Sequence, residues 1–268
     1  MDTRFTPAHR GGSGPPLVLL HGITDTWRTW ELVLPALQER HAVFAPTLPG
    51  HAGGPPLAPG ADADGVVDAV ASMLDAEGLE TAHIAGNSLG GHLALRLAAR
   101  GRARSVVALA PAGGWEAGDP AAHATLDAVL ATQAAARAAA PHADAAASTP
   151  RGRAKALASV VGDASGLPAD LVAHVIRGAA ACSGLEALDA AARRDGWTLD
   201  AAAVDCPVRI VWGTEDRLLE WPAAAVRYRR DWLPHADWVE LGGAGHAPQL
   251  ELPLETAQLI LGVTAPGR

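Results

Sequence analysis

The stretch Ala82-His83-Ile84-Ala85-Gly86-Asn87-Ser88-Leu89-Gly90-Gly91 decides how the chain is read. Ala82 to Ala85 suits a short buried strand, and from Ser88 to Arg100 the pattern turns helical. Leu89, Leu93 and Leu97 recur at i, i+4 and i+8 and form one apolar stripe. Gly90, Ala94 and Ala98 form a second stripe of small residues, which lets the helix axis approach a sheet closely. At the junction stands Gly86-Asn87-Ser88-Leu89-Gly90, a G-x-S-x-G sequence. With 29 glycines in 268 residues a chance match is not rare, so the strand-to-helix context carries the weight. A sharp turn there exposes the serine hydroxyl at the sheet edge, whereas a helix start merely capped by Ser88 is the plainer alternative. The glycines suit the turn because close backbone and a strained serine leave no room for Cβ atoms.

Outward from this junction, strand-like and helix-like segments alternate. Leu17 to Leu20 is a wholly apolar run ended by His21-Gly22, which suits a strand buried on both faces. Trp27 to Arg40 reads as a helix, Ala42 to Ala45 as a strand, and Pro46 to Gly60 as a Pro/Gly-rich loop. Asp62 caps a helix running to about Glu77, and Val106 to Ala110 is the next strand. From Gly113 to about Ala203 the alternation stops: the segment is Ala-rich, helical in propensity, and broken at Pro120, Pro141, Pro150 and Pro168. It resumes with a strand at Pro207–Gly213, a helix from Pro222, a strand at Trp238–Leu241 and a helix near Leu250–Gly262. The class is α/β, a mainly parallel sheet with helices on both faces. Residues 1–112 and 204–268 make up its two parts, and residues 113–203 form a helical insert.

Composition narrows the functional classes. The formal charge is −8, which argues against a nucleic-acid binder, since that partner needs clustered positive charge. Hydrophobic residues make up 49% and charged residues 19%, which excludes disorder of the whole chain. Cys182 and Cys206 are the only cysteines, too few for a disulfide framework or a Cys-based zinc site. They either pair or serve as small buried hydrophobes. No run approaches the roughly 18 apolar residues of a membrane span. Met1 to Pro16 carries Asp2, Arg4 and Arg10 and shows no apolar signal core, so a soluble cytoplasmic protein without membrane insertion is expected. No phosphate-cradling loop, dinucleotide fingerprint or metal-ligand cluster is visible, and neither cofactor nor metal is expected.

A serine hydroxyl is a weak nucleophile until a base takes its proton, and imidazole is the usual base near neutral pH. Among 11 histidines, His246 is singled out by its place in Gly242-Gly243-Ala244-Gly245-His246-Ala247-Pro248, directly after the last strand. The base needs an acid to hold its tautomer. Asp216 and Glu215 both follow the penultimate strand, at the edge where sites in parallel sheets gather. The order Ser88, acid, His246, each after a strand, is hard to produce by chance. Attack on a carbonyl also requires oxyanion donors. Leu89 supplies one N–H at a helix start, and Ile23, after the first apolar strand, supplies the second. His21 reads as a loop-fixing residue. Trp27 and Trp115 are candidates to line the substrate pocket, while Trp30, Trp212 and Trp238 read as core. Arg227, Arg229 and Arg230 read as a solvated helix face.

Five pieces together resemble the α/β-hydrolase superfamily: Leu19-Leu20-His21-Gly22, Leu48-Pro49-Gly50-His51, Gly86-Asn87-Ser88-Leu89-Gly90-Gly91, Gly213-Thr214-Glu215-Asp216 and Gly245-His246-Ala247-Pro248-Gln249-Leu250-Glu251. The resemblance implies Asp216 rather than Glu215 as the acid, a Ser88–Asp216–His246 triad, and a helical lid where alternation fails. It implies a serine esterase, and the Ala-rich insert with few large aromatics suggests an apolar pocket and hence a small apolar ester-like substrate. Haloalkane dehalogenases and epoxide hydrolases of this superfamily carry Asp where Ser88 stands. The Gly-Asn-Ser-x-Gly-Gly form is similar to that of carbon–carbon bond hydrolases, but those usually have Trp where Ala247 stands and Ser-Gly where Ile23-Thr24 stand. A lid arginine is expected in that subclass, and Arg177 is the matching candidate. Perhydrolysis on the same triad, or slow or non-catalytic binding of a small ligand, are the other activities the scaffold implies.

Overall fold

The computed structural model describes residues 5–265. Asp2 and Arg4 of the N-terminal segment lie outside the described residues. Seven strands among the described residues form one sheet: β1 (Ala8–Gly11), β2 (Pro16–Leu20), β3 (Ala42–Pro46), β4 (Ala82–Asn87), β5 (Ala103–Leu109), β6 (Val208–Gly213) and β7 (Asp237–Leu241). Their order is β1-β3-β2-β4-β5-β6-β7, parallel throughout except for β1, which runs antiparallel to β3. Leu17, Val18, Leu19 and Leu20 have no exposed surface, as a strand covered on both faces requires. β1 is the element the apolar pattern does not announce. It is a short, half-exposed edge strand, so it needs no apolar run.

Side-chain alternation divides the core. Val18, Leu20, Ile84, Val106 and Ile210 pack on one face against α2 (Ala63–Ala76) and α3 (Leu89–Ala99). Leu17, Leu19, Ala85, Val107 and Val211 pack on the other against α1 (Leu34–Gln38) and the C-terminal helix. α2 begins where Asp62 accepts the Gly65 N–H at 2.7 Å. The single helix expected over Trp27–Arg40 is instead a 3₁₀ turn at Trp27–Trp30 followed by α1. Pro35 lacks the N–H an uninterrupted helix would use and sits in the first turn of α1.

Between β5 and β6 lie α4 (Pro120–Ala139), α5 (Ala143–Ala147), α6 (Pro150–Ala156), α7 (Ala169–Ala181) and α8 (Leu185–Asp195). This segment has its own apolar cluster, including Leu157, Val161, Leu171, Val172 and Ile176, which also takes in Ala247 and Leu250. The helix expected from Pro222 is a short 3₁₀ turn, Ala223–Ala225, and a π-helical turn, Tyr228–Trp232. There the buried Tyr228 hydroxyl donates to the Ala112 carbonyl at 2.7 Å. The last helix is split by Pro253 into α9 (Pro248–Glu251) and α10 (Pro253–Thr264). Among the described residues no single helix is long and apolar enough to cross a membrane.

Register places the site. Leu20 pairs with Gly86, Asn87 with Leu109, Leu109 with Val211, and Gly213 with Leu241. The loops after β2, β4, β6 and β7 therefore leave the sheet along one rim.

Candidate active site

Ser88 stands at the junction of β4 and α3 with φ 55 and ψ −118, a left-handed backbone that costs a non-glycine residue about 1–3 kcal/mol. Its surroundings enforce it. Ser88 N donates to the Leu109 carbonyl at 2.9 Å, and the Ser88 carbonyl accepts from Ala112 N at 3.1 Å and His92 N at 3.1 Å. The flanking glycines are obligatory: a Cβ on Gly86 would lie 2.2 Å from the Gly90 carbonyl oxygen, and one on Gly90 2.1 Å from that of Leu20.

Across the rim, Asp216 and His246 meet. His246 Nδ1 lies 2.7 Å from Asp216 Oδ2, and both side chains are buried. Asp216 Oδ1 accepts the N–H groups of Leu218 at 2.9 Å and Leu219 at 2.8 Å. A carboxylate held by two amides accepts from Nδ1–H, which leaves the Nε2 lone pair free. His246 Nε2 is buried, makes no hydrogen bond, and belongs to a side chain on the wall of the cavity that Ser88 also lines. Ser88 and His246 thus share one cavity without a hydrogen bond between them in this structure. Such contacts are often long before substrate binds. Glu215, the rival acid, is exposed, and its backbone N–H donates to the Ala244 carbonyl at 2.9 Å.

Ile23 lies on the cavity wall in the loop after β2. His21 anchors that loop. The Leu48 N–H donates to His21 Nε2 at 2.8 Å, so Nδ1 carries the proton and donates to the Gly22 carbonyl at 2.7 Å. Complete burial pushes the His21 pKa well below its ordinary value, consistent with a neutral, structural ring. Leu89 opens α3, with its side chain in the core and its N–H in the first turn, where helix donors lack intrahelical partners.

Further groups, to which the sequence reading assigns no role, hold these parts together. Asn87 Nδ2 donates to the His246 carbonyl at 2.9 Å and to that of Leu109 at 3.2 Å. Gln249 Nε2 donates to Asn87 Oδ1 and Thr29 Oγ1, both at 3.1 Å. The Glu251 carboxylate accepts from Gly245 N at 2.6 Å, Gly162 N at 2.5 Å and Asp163 N at 3.2 Å, tying the histidine loop to the segment after α6. The Ala247 N–H donates to the Val160 carbonyl at 2.9 Å and adds a second tie. Gln249 and Glu251 fall within the quoted Gly245–Glu251 piece, but nothing local shows what they touch.

The cavity measures about 700 Å³. The loops after β2, β4, β6 and β7 form one wall, and the insert forms the rest through residues such as Ala135, Ala139, Lys155, Val160, Ile176 and Ala179. Neither tryptophan expected in the pocket lines it. The Trp27 indole turns away to donate to Thr6 Oγ1 at 2.7 Å and packs on His9. Trp115 is buried in the main core near Trp197. Arg177 lies on α7 and pairs with Asp144 at 2.5 Å rather than facing the cavity. Of the three arginines read as a solvated face, Arg229 and Arg230 are exposed and Arg227 is half-buried; Arg227 stacks 4.1 Å from the Trp232 ring centre, Arg229 lies over Trp221, and Arg230 pairs with Glu116 and Asp231. Cys182 and Cys206 are both free thiols.

A family model described as "Alpha/beta hydrolase family" matches residues 17–259, and the chain belongs to that family. Over 55 residues it is 56% identical to the epoxide hydrolase EphH of Mycobacterium tuberculosis, covering 20% of this chain and 26% of that protein. Over 114 residues it is 37% identical to a 2-hydroxymuconate semialdehyde hydrolase of Pseudomonas sp. strain CF600, covering 40% of each. The chain thus spans well under half the length of these curated relatives. Among solved structures, a bacterial membrane phospholipase A superposes with a TM-score of 0.75 at 27% identity, covering 97% of this chain and 83% of that one.

Proposed function

We propose that the chain is a serine hydrolase cleaving carboxylic esters through an acyl-enzyme. Ser88 Oγ attacks the ester carbonyl while its proton passes to His246 Nε2, and the Asp216 carboxylate stabilises the resulting imidazolium. The N–H groups of Ile23 and Leu89 receive the oxyanion. As the tetrahedral intermediate collapses, the carbon–oxygen bond to the alcohol breaks and His246 returns the proton to the departing alkoxide. Water then attacks the acyl-enzyme, His246 takes its proton, and the carboxylic acid leaves as Ser88 is reprotonated. The insert, residues 113–203, is read as a lid over the site, and its alanine-rich wall favours a small apolar substrate.

One observation carries this reading: a buried His246–Asp216 pair whose free Nε2 belongs to a side chain on the same cavity wall as a backbone-strained Ser88. The phospholipase likeness favours ester chemistry. Serine at the elbow speaks against the epoxide chemistry in the name of the mycobacterial relative, because that branch of the superfamily uses Asp there. The likeness to the muconate semialdehyde hydrolase favours carbon–carbon bond hydrolysis on the same triad as the second reading. The test is labelling with a fluorophosphonate probe and mapping of the modified residue, followed by a panel of p-nitrophenyl esters. Modification of Ser88 with ester turnover is the expected result. An unlabelled Ser88 overturns the assignment.

A further inference from the structure

Two residues beyond Ile23, the loop after β2 carries a carboxylate on the wall of the cavity. Asp25 lies there with Ile23, Thr24 and Ser88. Among the cavity-lining residues it is the one carboxylate, and Lys155, on the exposed side of α6, is the one lysine or arginine. The turn that carries it is strained. Thr24 has φ 65, a rare conformation for a β-branched residue, and Asp25 N closes the turn on the Gly22 carbonyl at 3.3 Å.

The carboxylate is supported from behind. Asp25 Oδ1 accepts the Thr26 N–H at 2.8 Å, and the Thr29 hydroxyl also bonds to it. Thr29 Oγ1 also accepts from Gln249 Nε2 at 3.1 Å. A carboxylate offers about four acceptor positions. These two contacts leave capacity for a ligand in the cavity. Burial pushes the Asp25 pKa from 3.8 up to about 6, against the opposing pull of Thr26 and Thr29. Above neutrality the group is therefore an anion in a largely apolar chamber.

We propose that Asp25 is a specificity-determining residue: it disfavours ester substrates carrying a second, anionic group and accepts a hydrogen bond from those carrying a hydroxyl or ammonium group. This rests on the ester-hydrolase reading of Ser88 and His246. It also separates the chain from its muconate semialdehyde relative, since muconate semialdehydes are themselves carboxylates. Besides Asp25, the ionisable side chains among the cavity-lining residues are His246 and Lys155, with Asp216 bonded to His246. His174 bonds Thr26 Oγ1 at 2.9 Å, and burial brings its pKa down to about 4. Cys182, behind Thr24, is pushed up to about 11. His174 and Cys182 thus stay uncharged from pH 5.5 to 8, and the effects of His246 cancel in a ratio of two substrates measured at one pH.

The experiment compares kcat/KM for p-nitrophenyl hexanoate with mono-p-nitrophenyl adipate, and for butyl acetate with 4-acetoxybutanoate. The two pairs place the extra carboxylate on the acyl and the alcohol side respectively. At pH 8 the wild type should favour the neutral member of at least one pair about tenfold or more. Asp25→Asn should shrink that ratio about fivefold, and Asp25→Glu should preserve it. At pH 5.5, where the substrate carboxylates remain ionised, the wild-type ratio should fall about threefold, while that of Asp25→Asn stays level. The wild-type pH series needs no variant, so it decides the matter even if Asp25→Asn fails to fold. Equal ratios in wild type and Asp25→Asn, or a wild-type ratio that does not move with pH, overturn the proposal. Absence of turnover on every neutral ester, with Ser88 unlabelled by fluorophosphonate, instead removes the underlying reading and the proposal with it.

Discussion

The sheet rim and the helical insert face each other across one cavity but are held by different forces. On the rim, each candidate catalytic side chain follows a strand whose ladder fixes its height, over fully buried residues such as Leu19, Leu20, Leu109 and Val211. The insert has a thinner core of its own and many exposed ion pairs, Arg177–Asp144 and Arg193–Asp127 among them. It also meets the body, through Trp115, Leu188 and Leu199 in the main core and through several polar ties. Glu251 bridges to Gly162, Arg28 pairs with Asp170 at 3.0 Å, and Gly184 N donates to the Gly50 carbonyl at 2.8 Å. At the last point a Cβ on Gly184 would lie 2.7 Å from the Gly50 Cα. Surface ion pairs contribute about 0–1 kcal/mol each, whereas a buried core resists displacement by several. The proposed chemistry therefore sits on the side with the larger buried core, and most of the alanine-rich cavity wall on the side with the smaller one.

The largest effects should arise on the rim. Ser88→Ala should reduce ester kcat/KM by roughly 10⁵–10⁶, with melting temperature nearly unchanged. Steady-state assays decide it, and a tenfold loss would remove Ser88 as nucleophile. Asp216→Asn should cost about 10⁴ in kcat, because the tautomer of His246 is no longer held, while Glu215→Gln should change little. A reversed pattern would transfer the acid role. For the packing beneath the elbow, Gly90→Ala forces a Cβ against the Leu20 carbonyl and should lower stability by about 3 kcal/mol in denaturant titration. An equally stable Gly90→Ala protein would mean that rim and helix can move apart.

Asp25 lies where the two regions meet. Its folded-state pKa of about 6 exceeds the ordinary 3.8, so the native state holds the proton more tightly. The stability this gives is fully present below about pH 4 and is lost as pH rises through about 6. Relative to Asp25→Asn, the wild type should therefore lose about 1–3 kcal/mol between pH 4 and pH 7.5. Thermal unfolding of both proteins at several pH values measures the difference. On the insert the smallest effect is expected. Arg177→Gln should shift stability by less than about 1 kcal/mol and ester turnover by less than about threefold. A twentyfold loss would make Arg177 a substrate contact after all.

Six of the seven strands were legible; for β2 to β5, burial on both faces leaves a local apolar signature, whereas β7, at the far edge, is only half-buried. β1, at the edge, carries no such run. The helices failed where proline intervened: Pro35 divides the segment after Trp27, and Pro253 divides the last helix. Ser88 and His246 were legible from their positions after strands. The choice of Asp216 over Glu215 rests on the family pattern; in the fold Asp216 is buried and Glu215 exposed. Trp27 and Trp115 were misplaced because side-chain direction depends on neighbours: Thr6 and His9 for one, Trp197 for the other.

Taken alone, the order of residues determined the parallel sheet, the turn at Ser88 and the interruption by helices, since each follows from periodicity or from the backbone freedom of glycine. Only the folded arrangement decided that Asp25 faces the cavity, that Asn87 and Gln249 brace the histidine loop, and that Glu251 clasps the insert. Those contacts join groups up to 220 positions apart, as between Thr29 and Gln249. A hydrogen bond depends on distances of a few ångströms, which no local pattern encodes.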